Sequence, residues 1–456
     1  MGRGGRTRSA VLLVALLILP GCAAYHERMQ AVEAPLVAGE PRKALQALEA
    51  DGENAAERDL PLYLLNRGLL LFQLEDWDGA IQTLSQAARL LEEAAVLSVG
   101  EQAAAVSVNE GRRSYAGAPY ERRLVHVFLA LAYLRAGRLD EARVEALQID
   151  LVSQVLAQQG EPEDPFARWL AGMIFEALGE WDQARVAYRK ALEAYEDRDS
   201  PYALPVPPTL QRDLVRVTAA LGLDDEARRL RERFALADDA TELDPRRSAR
   251  LAQVVLIYLD NLAPLWLESS LLIHDPESGR LVRIALPYPV PRPSPVARAE
   301  FHLGPHSVVL EKAEDVARLS QQALERQMPK LLARAIARAL VKSEATRKAH
   351  KEDALLGVMV NLIGVLSERA DTRTWQLLPD NFRLARLFLP PGDYRGELGL
   401  YDARGRVLAR LSLGEWALEA GETRFLTARW IDPGVLQAWE AAPDDEWIRI
   451  HVYHED

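Results

Sequence analysis

One short frame recurs five times in the first half of the chain, and it constrains the fold more than any other feature. A turn residue is followed five positions later by an alanine, and apolar residues at helical spacing flank each turn. The frame predicts a helix, a tight turn and a second helix, with the alanine where only a small side chain lets the helices approach. The frames are Gly39–Ala44, Glu75–Ala80, Gly137–Ala142, Gly179–Ala184 and Gly222–Ala227.

The fourth frame resembles the tetratricopeptide repeat in the residues Gly172, Phe175, Gly179, Trp181, Ala184, Tyr188 and Ala191. The resemblance implies a helical solenoid of the kind that binds protein partners along its stacked helices. The alanines of successive frames lie between 36 and 62 residues apart, whereas the usual repeat is about 34 residues long. We therefore expect a degenerate and interrupted solenoid.

The longest gap between frames contains an insertion rich in aromatic and charged residues. Four of them are Tyr115, Tyr120, Glu121 and Arg122. Because tyrosine and arginine are favoured anchors of protein interfaces, the insertion is predicted to be a contact surface. The alternative is a loop that packs against its own solenoid.

The start of the chain has the features of an exported lipoprotein. Three arginines precede an apolar run from Ala10 to Leu19, which is too short to span a membrane and is typical of a secretory signal. The tetrapeptide that ends at Cys22, the one cysteine of the chain, resembles the lipobox of bacterial lipoproteins. The resemblance implies cleavage before Cys22, acylation of Cys22 and membrane anchoring. Because Ala23 replaces the aspartate of the commonest inner-membrane retention signal, the family rule favours the periplasmic face of the outer membrane. An ordinary secreted protein with a stray cysteine is the alternative.

Charge divides the chain into two halves. The whole sequence has 55 basic and 67 acidic residues, a net charge of -12. Residues 22–244 carry a net charge of -15, whereas residues 245–456 are neutral. The acidity disfavours a nucleic-acid binder, whose affinity depends on neutralising phosphates. The change in charge and the Asp244-Pro245 step predict a domain boundary at this point. The predicted organisation is a signal peptide at 1–21, a helical repeat domain at 22–244 and a β-rich domain at 245–456.

The second half has the pattern of an antiparallel sheet protein. Short apolar runs alternate with turn residues, which predicts a β-sandwich-like domain, and a helical block at about 311–370 is predicted to be an insertion. The expected fold class is multidomain: an N-terminal all-α solenoid resembling tetratricopeptide repeats, followed by a C-terminal α+β domain.

A basic stripe runs along the predicted helical insertion through Arg326, Lys330, Arg334, Arg338 and Lys342. Such a helix can lie on anionic lipid or bind an acidic partner. More commonly, such a pattern belongs to a helix with one solvated face and one packed face. The acidic solenoid of the same chain is a third candidate partner.

Motifs for chemistry are scarce in the sequence. His302 and His306 have the spacing of a zinc helix, but Gly304-Pro305 between them prevents that helix. We predict no catalytic residue, metal, cofactor or small-molecule substrate.

Several segments resemble, in chain order, a family of uncharacterised bacterial lipoproteins with tetratricopeptide-like repeats. They are residues 115–122, 142–145, 262–264, 334–338 with Lys342, and 370–379. The resemblance implies no established activity, but members tend to be encoded near lipoproteins that resemble activators of penicillin-binding proteins, which suggests a cell-wall role. The candidate interaction residues are Tyr115, Tyr120, Glu121, Arg122, Arg334, Arg338, Asp371, Arg373 and Trp375. For Asp371 and Arg373, a structural salt bridge is the alternative.

These observations predict a non-enzymatic scaffold of the cell envelope, anchored in the outer membrane through Cys22 and bound to an unidentified protein partner. A periplasmic enzyme that uses carboxylates to act on glycan or peptide is the rival hypothesis. A binder of anionic lipid surfaces is the third.

Overall fold

The computed structural model describes residues 23–52, 57–101, 114–237, 241–275, 280–352 and 369–437. The predicted signal peptide with Cys22, residues 353–368 of the predicted insertion and the chain beyond residue 437 therefore lie outside the described residues.

Within the described part of the first half, ten helices form five antiparallel hairpins. The first helices of the hairpins are α1 (Ala23–Val37), α3 (Leu60–Gln73), α5 (Pro119–Arg135), α7 (Pro165–Ala177) and α9 (Pro208–Ala220). The second helices are α2 (Pro41–Gly52), α4 (Trp77–Glu101), α6 (Leu139–Gln158), α8 (Trp181–Glu196) and α10 (Asp224–Phe234). We call the first set the inner helices and the second set the outer helices. A short helix, α11 (Pro245–Ser248), leads into the second half.

The repeated frame lies at the turn of every hairpin. The five turn residues adopt left-handed backbone conformations, with φ between 60° at Glu75 and 78° at Gly39. Glycine adopts this conformation without strain, which explains its use at four of the five turns. The five alanines are all buried, as predicted for close helix crossings. At Gly172 a Cβ atom would lie 2.4 Å from the ring of Tyr188, so this inner helix needs glycine for its close approach to α8.

The second half contains ten described strands. They are β1 (Ala252–Asp260), β2 (Leu265–Asp275), β3 (Arg280–Val290), β4 (Arg298–Leu303), β5 (His306–Val309), β6 (Glu311–Asp315), β7 (Asn381–Leu389), β8 (Gly392–Tyr401), β9 (Val407–Leu418) and β10 (Thr423–Trp430). One sheet has the order β10-β1-β7-β6 and a second has the order β5-β4-β8-β9, while β2 and β3 form a hairpin. All pairs are antiparallel except β1 with β10, which is parallel.

Strand β1 is buried on both faces. Val254, Leu256 and Tyr258 pack in a core shared with the second sheet. Val255, Ile257 and their neighbours on the other face pack in the core of the helical half. Because alternate residues of a strand point to opposite faces, a strand covered on both sides reads as one continuous apolar run. The molecule therefore has three layers in the order inner helices, first sheet and second sheet.

The predicted fold class is confirmed, while some boundaries differ in detail. The block predicted as helical from about residue 311 begins with strand β6, and the helix α12 (Val316–Glu352) follows it. Strands β4 and β5 form a hairpin around Gly304-Pro305, with His302 paired to Ser307 and Leu303 to His306. Among the described residues, no helix is both long and apolar enough to cross a membrane.

The tight helix crossing gives a direct test of packing. Replacing Ala184 by Leu (Ala184→Leu) is expected to lower the free energy of unfolding by about 1–3 kcal/mol, because the larger side chain overfills the crossing. The matched control is Val186→Leu, since Val186 lies on the same helix with 51% of its surface exposed. The control should change stability by less than about 0.5 kcal/mol. Urea unfolding measures both, and equal effects would contradict a tight crossing.

Candidate functional site

All five inner helices contact the second half of the chain. Each does so through a hydrogen bond or an ion pair, so the contact is continuous along the solenoid. The pairs are Glu33 with Arg292 for α1, Asn66 with the Leu377 amide for α3, Glu121 with the Trp375 amide for α5, Glu176 with Arg386 for α7, and Thr209 with Glu311 for α9. The face formed by the inner helices is thus covered by the same chain.

The first contact region, the residue-121 cluster, consists of Tyr115, Tyr120, Glu121, Arg373 and Trp375. The carboxylate of Glu121 accepts hydrogen bonds from the Tyr115 hydroxyl and, at 2.8 Å, from the backbone N–H of Trp375. Burial raises the pKa of Glu121, and these hydrogen bonds act in the opposite direction. The Trp375 ring lies 5.6 Å from that of Phe128, centroid to centroid. Glu121 therefore joins the insertion, helix α5 and the segment before β7.

Arg373 adds an ion pair to this cluster. It donates two hydrogen bonds to the carboxylate of Asp371, at 2.8 and 2.7 Å, and a third to Asp59 at 2.7 Å. Asp59 directly precedes α3, so Arg373 links the second half to a second inner helix. The guanidinium also lies over the ring of Tyr115, 5.7 Å from its centroid. These contacts match the structural salt bridge that the sequence left open as an alternative.

The residue-121 cluster corrects the expectation of an external contact surface. Tyr115, Tyr120, Glu121 and Trp375 are buried, and the Arg373 side chain is 9% exposed. Asp371 and Arg122 are half-buried at the edge of the cluster. The contacts that these residues make in the structure join the two halves of one chain.

A second buried group, the residue-176 cluster, was not predicted. It consists of Glu176, Asp213 and Arg216 of the solenoid and Arg386 of β7. Arg216 donates to Glu176 at 2.7 Å and to Asp213 at 2.6 Å. Arg386 lies 2.9 Å from Glu176 and 3.0 Å from Asp213. Two carboxylates and two guanidinium groups therefore neutralise one another where water is excluded.

The charge balance of this cluster keeps Glu176 ionised. Burial disfavours its charge, but Arg216 and Arg386 outweigh burial and lower the pKa of Glu176 to about 2. The Tyr188 hydroxyl donates a further hydrogen bond to Glu176 at 2.6 Å. A buried pair of this kind contributes little net stability when intact, but it is costly to break because a bare charge remains.

A third group, the residue-314 cluster, brings together Asp164 and Glu314 with Arg123 and Tyr202. Asp164 caps α7 by accepting a hydrogen bond from the Ala167 amide at 2.9 Å. Burial and the adjacent Asp164 raise the pKa of Glu314 well above its usual value. Burial also raises the pKa of Asp164, against the attraction of Arg123. The adjacent Asp164 carboxylate disfavours a charge on Glu314, so Glu314 is expected to keep its proton at the junction of α7 and β6.

The residue-314 cluster bears on the rival hypothesis of a carboxylate enzyme. Paired carboxyls with raised pKa values are a feature of many active sites. Asp164 and Glu314 are, however, completely buried, and neither lines the pocket that Tyr120, Tyr202 and Arg326 form beside α12. A substrate cannot reach this pair in the described conformation. Across the described ranges, no group of three or more acidic, histidine or cysteine side chains is arranged to hold a metal ion.

The basic stripe of α12 is partly engaged by the solenoid. Arg326 donates a hydrogen bond to Glu161, in the loop after α6, at 2.9 Å. Arg334 is half-buried. The side chains of Arg338 and Lys342 lie outside the described residues. The contact of Arg326 fits the reading in which the acidic solenoid is the partner of this helix.

The outer helix α6 has an exposed apolar stripe that sequence reasoning missed. Val144, Leu147, Leu151 and Val155, here called the outer stripe, are between 38% and 54% exposed. Their spacing of three, four and four residues places them on one face of the helix. That spacing was the available signal, but apolar residues at helical spacing normally indicate a buried face.

Comparison with known proteins supports the repeat assignment. Residues 166–197 match the family model of the tetratricopeptide repeat, and this segment is the hairpin of α7 and α8. The chain thus contains a tetratricopeptide repeat. Among curated proteins, none is significantly similar to the chain.

Several solved structures resemble part of the chain. The apo form of RapI is 14% identical with a TM-score of 0.36, and the match covers 51% of this chain and 58% of RapI. A double mutant of MamA from RS-1 is 13% identical with a TM-score of 0.31, covering 46% of this chain and 92% of MamA. The TPR-like repeats of a putative kinesin light chain from Podosopora anserina are 13% identical with a TM-score of 0.32, covering 48% and 96%.

The residue-176 cluster can be tested by removing one charge. Arg386→Leu is expected to lower the free energy of unfolding by about 3–5 kcal/mol, because Glu176 and Asp213 keep a buried charge without its partner. Arg410→Leu is the control, since Arg410 is mostly exposed and pairs with Glu397 at 2.7 Å. Loss of this surface pair should cost less than about 1 kcal/mol. Guanidinium unfolding compares them, and similar losses would contradict the proposed role of the cluster.

The raised pKa of Glu314 predicts a pH dependence of stability. Because the pKa of Glu314 is raised in the folded state, its stabilising effect is complete below its usual pKa of 4.5 and is lost as pH rises through the folded-state pKa. This loss disappears in Glu314→Gln. The free energy of unfolding of the variant should therefore fall less than that of the wild type between mildly acidic and mildly basic pH, with a difference in slope of up to about 1.4 kcal/mol per pH unit. Urea unfolding across that range measures the slope. The exposed control Glu415→Gln should leave the slope unchanged, and an unchanged slope in Glu314→Gln would exclude a proton held by Glu314 in the folded state.

Proposed function

We propose that this protein is a lipid-anchored scaffold of the bacterial cell envelope that binds protein partners through the outer helices of its solenoid. One observation carries the proposal: the tetratricopeptide-type hairpins have their inner helices covered by the second half of the chain, whereas each outer helix keeps an exposed face. A solenoid offers long surfaces for protein partners. The outer surface is the one that this chain leaves accessible.

The anchor in this proposal is the acylated Cys22. A charged start, an apolar run and the lipobox-like tetrapeptide support it. Helix α1 begins at the next residue, and its Met29, Val32 and Glu33 are already buried in the body of the protein. Six residues lie between Cys22 and Met29, which span only about 9 Å as a helix. An anchored molecule would therefore lie close to its membrane.

The location and the process are also part of the proposal. Ala23 after the cysteine supports the periplasmic face of the outer membrane, and the resemblance to lipoproteins encoded near activators of penicillin-binding proteins supports a role in cell-wall synthesis. The proposed role is non-enzymatic, and the burial of the carboxyl pair Asp164 and Glu314 supports this part of the proposal.

The anchor is tested by cell fractionation. Cys22→Ser is expected to move the protein from the membrane fraction to the soluble fraction and to abolish labelling with palmitate, because serine cannot form the thioether. Ala23→Asp is the matched variant, which should keep the label but move the protein from the outer to the inner membrane. Retention of Cys22→Ser in the membrane fraction would contradict the lipid anchor.

Partner binding is tested separately by crosslinking in cells followed by capture of the protein. We expect a component of cell-wall synthesis or export to be recovered with the anchored protein. Recovery of no envelope protein, with anchoring intact, would contradict the scaffold role while leaving the lipid anchor in place.

A further inference from the structure

The outer stripe on α6 is an apolar surface with no cover in the described structure. Val144, Leu147, Leu151 and Val155 are 50%, 44%, 54% and 38% exposed. Their neighbours on the exposed face are Gln154, Ala157 and Gln158, so no charged residue is among the exposed residues from 144 to 158. The charged residues that flank the stripe, Arg143 and Asp150, are held in ion pairs. A contiguous apolar patch with a polar border is typical of a protein contact surface.

Ion pairs with α8 extend this surface to a second helix. Arg143 pairs with Glu180 at 2.6 Å, and Lys190 pairs with Asp150 at 3.0 Å. These two bridges place the middle of α8 beside α6. Val186, which lies between the bridged positions on α8, is 51% exposed.

The order of residues in the outer stripe suits a two-fold axis. Read in either direction the stripe is valine, leucine, leucine, valine, with spacings of three, four and four residues from Val144 and of four, four and three from Val155. If two copies of α6 pack antiparallel, Val144 of one copy lies opposite Val155 of the other, and Leu147 lies opposite Leu151. A two-fold interface uses the same patch on both copies, so it requires a patch that is complementary to itself.

Charge distinguishes a second copy from other partners. Residues 22–244 carry a net charge of -15, and exposed carboxylates such as Glu92 and Glu93 on α4 and Glu193 on α8 occupy neighbouring outer helices. Two copies of such a surface repel each other wherever these carboxylates meet. The uncharged stripe is where two identical acidic surfaces can approach without that penalty. A basic partner would instead be attracted to carboxylates, and none of the four residues of the outer stripe is a carboxylate.

We propose that the outer stripe of α6 is a homodimer interface, in which two copies of this chain pack their α6 helices antiparallel about a two-fold axis. The stripe with Val186 is smaller than the surface of an obligate dimer, so the association is reversible and lies in the micromolar range. This interface does not depend on the lipid anchor or on the identity of an envelope partner.

The test is the oligomeric state of the full chain, purified in detergent and followed by sedimentation velocity across a micromolar concentration series. The wild-type protein is expected to shift from monomer to dimer. Leu147→Glu alone and Leu151→Lys alone should each raise the dissociation constant by about tenfold or more, because each buries a charge against a leucine. In the double variant the introduced carboxylate of one copy opposes the introduced ammonium of the other, so dimerisation should recover.

The control is Val407→Glu, which alters a half-exposed residue of β9 on the second sheet and should leave the dissociation constant unchanged. Circular dichroism and thermal unfolding verify that each variant is folded. A wild-type protein that stays monomeric at every concentration overturns the proposal, as does a double variant that associates as weakly as the single ones. If the wild type is monomeric and Leu147→Glu loses a crosslinked envelope protein, the stripe serves a different partner and the homodimer is excluded.

Discussion

Mutual neutralisation of charges that are closed to water joins the two halves of this protein. Glu176 and Asp213 belong to inner helices, whereas Arg386 belongs to a strand of the first sheet. Within the solenoid Arg216 supplies one positive charge for these two carboxylates, so the second carboxylate depends on Arg386, because a buried ion without a partner costs several kcal/mol. The same logic applies to Glu33 with Arg292 and to Asp59 with Arg373. The change in charge and pattern near residue 244 therefore separates two kinds of structure that share one core.

This arrangement changes how a tetratricopeptide-like solenoid can work. Its inner helices are committed to a sheet of the same chain, with aromatic contacts such as Phe166 to Phe382 at 4.9 Å reinforcing the polar ones. Partners then have to meet the outer helices, and the uncharged stripe on α6 stands out there against an acidic background. The covered inner face also makes the solenoid rigid, since each hairpin is held both by its neighbour and by the second half.

Local features of the fold could be predicted from the sequence, and long-range ones could not. The five turns and their buried alanines depend on residues within six positions of one another. The strands β7 to β10 were also predictable, because apolar runs and turn residues mark them. The parallel pairing of β1 with β10 and the ion pair of Glu176 with Arg386 join residues far apart in sequence. Composition and local patterns do not indicate which distant residues pair with one another. The hairpin β4–β5 was missed because its strands are short.

The candidate site shows the same limit in another form. Tyr115, Glu121 and Trp375 were selected for chemistry that suits an interface, and they do form one. Sequence alone cannot distinguish an interface with a partner from an interface within the chain, since both need the same side chains. The outer stripe was missed for a related reason. Valines and leucines at helical spacing normally indicate a buried face, so the sequence does not distinguish an exposed stripe from a core.

The central position of β1 has a consequence for the order in which the chain can fold. Its two neighbours in the sheet are β7 and β10, and the latter ends at Trp430. Helix α1 is held by Arg292, a residue 259 positions later in the chain. During synthesis the inner helices are therefore made before the surfaces that cover them, and their charged faces meet these partners only once residues from Arg292 to Arg386 have been added. Such long-range closure slows folding and leaves the apolar faces of the nascent helices exposed in the meantime.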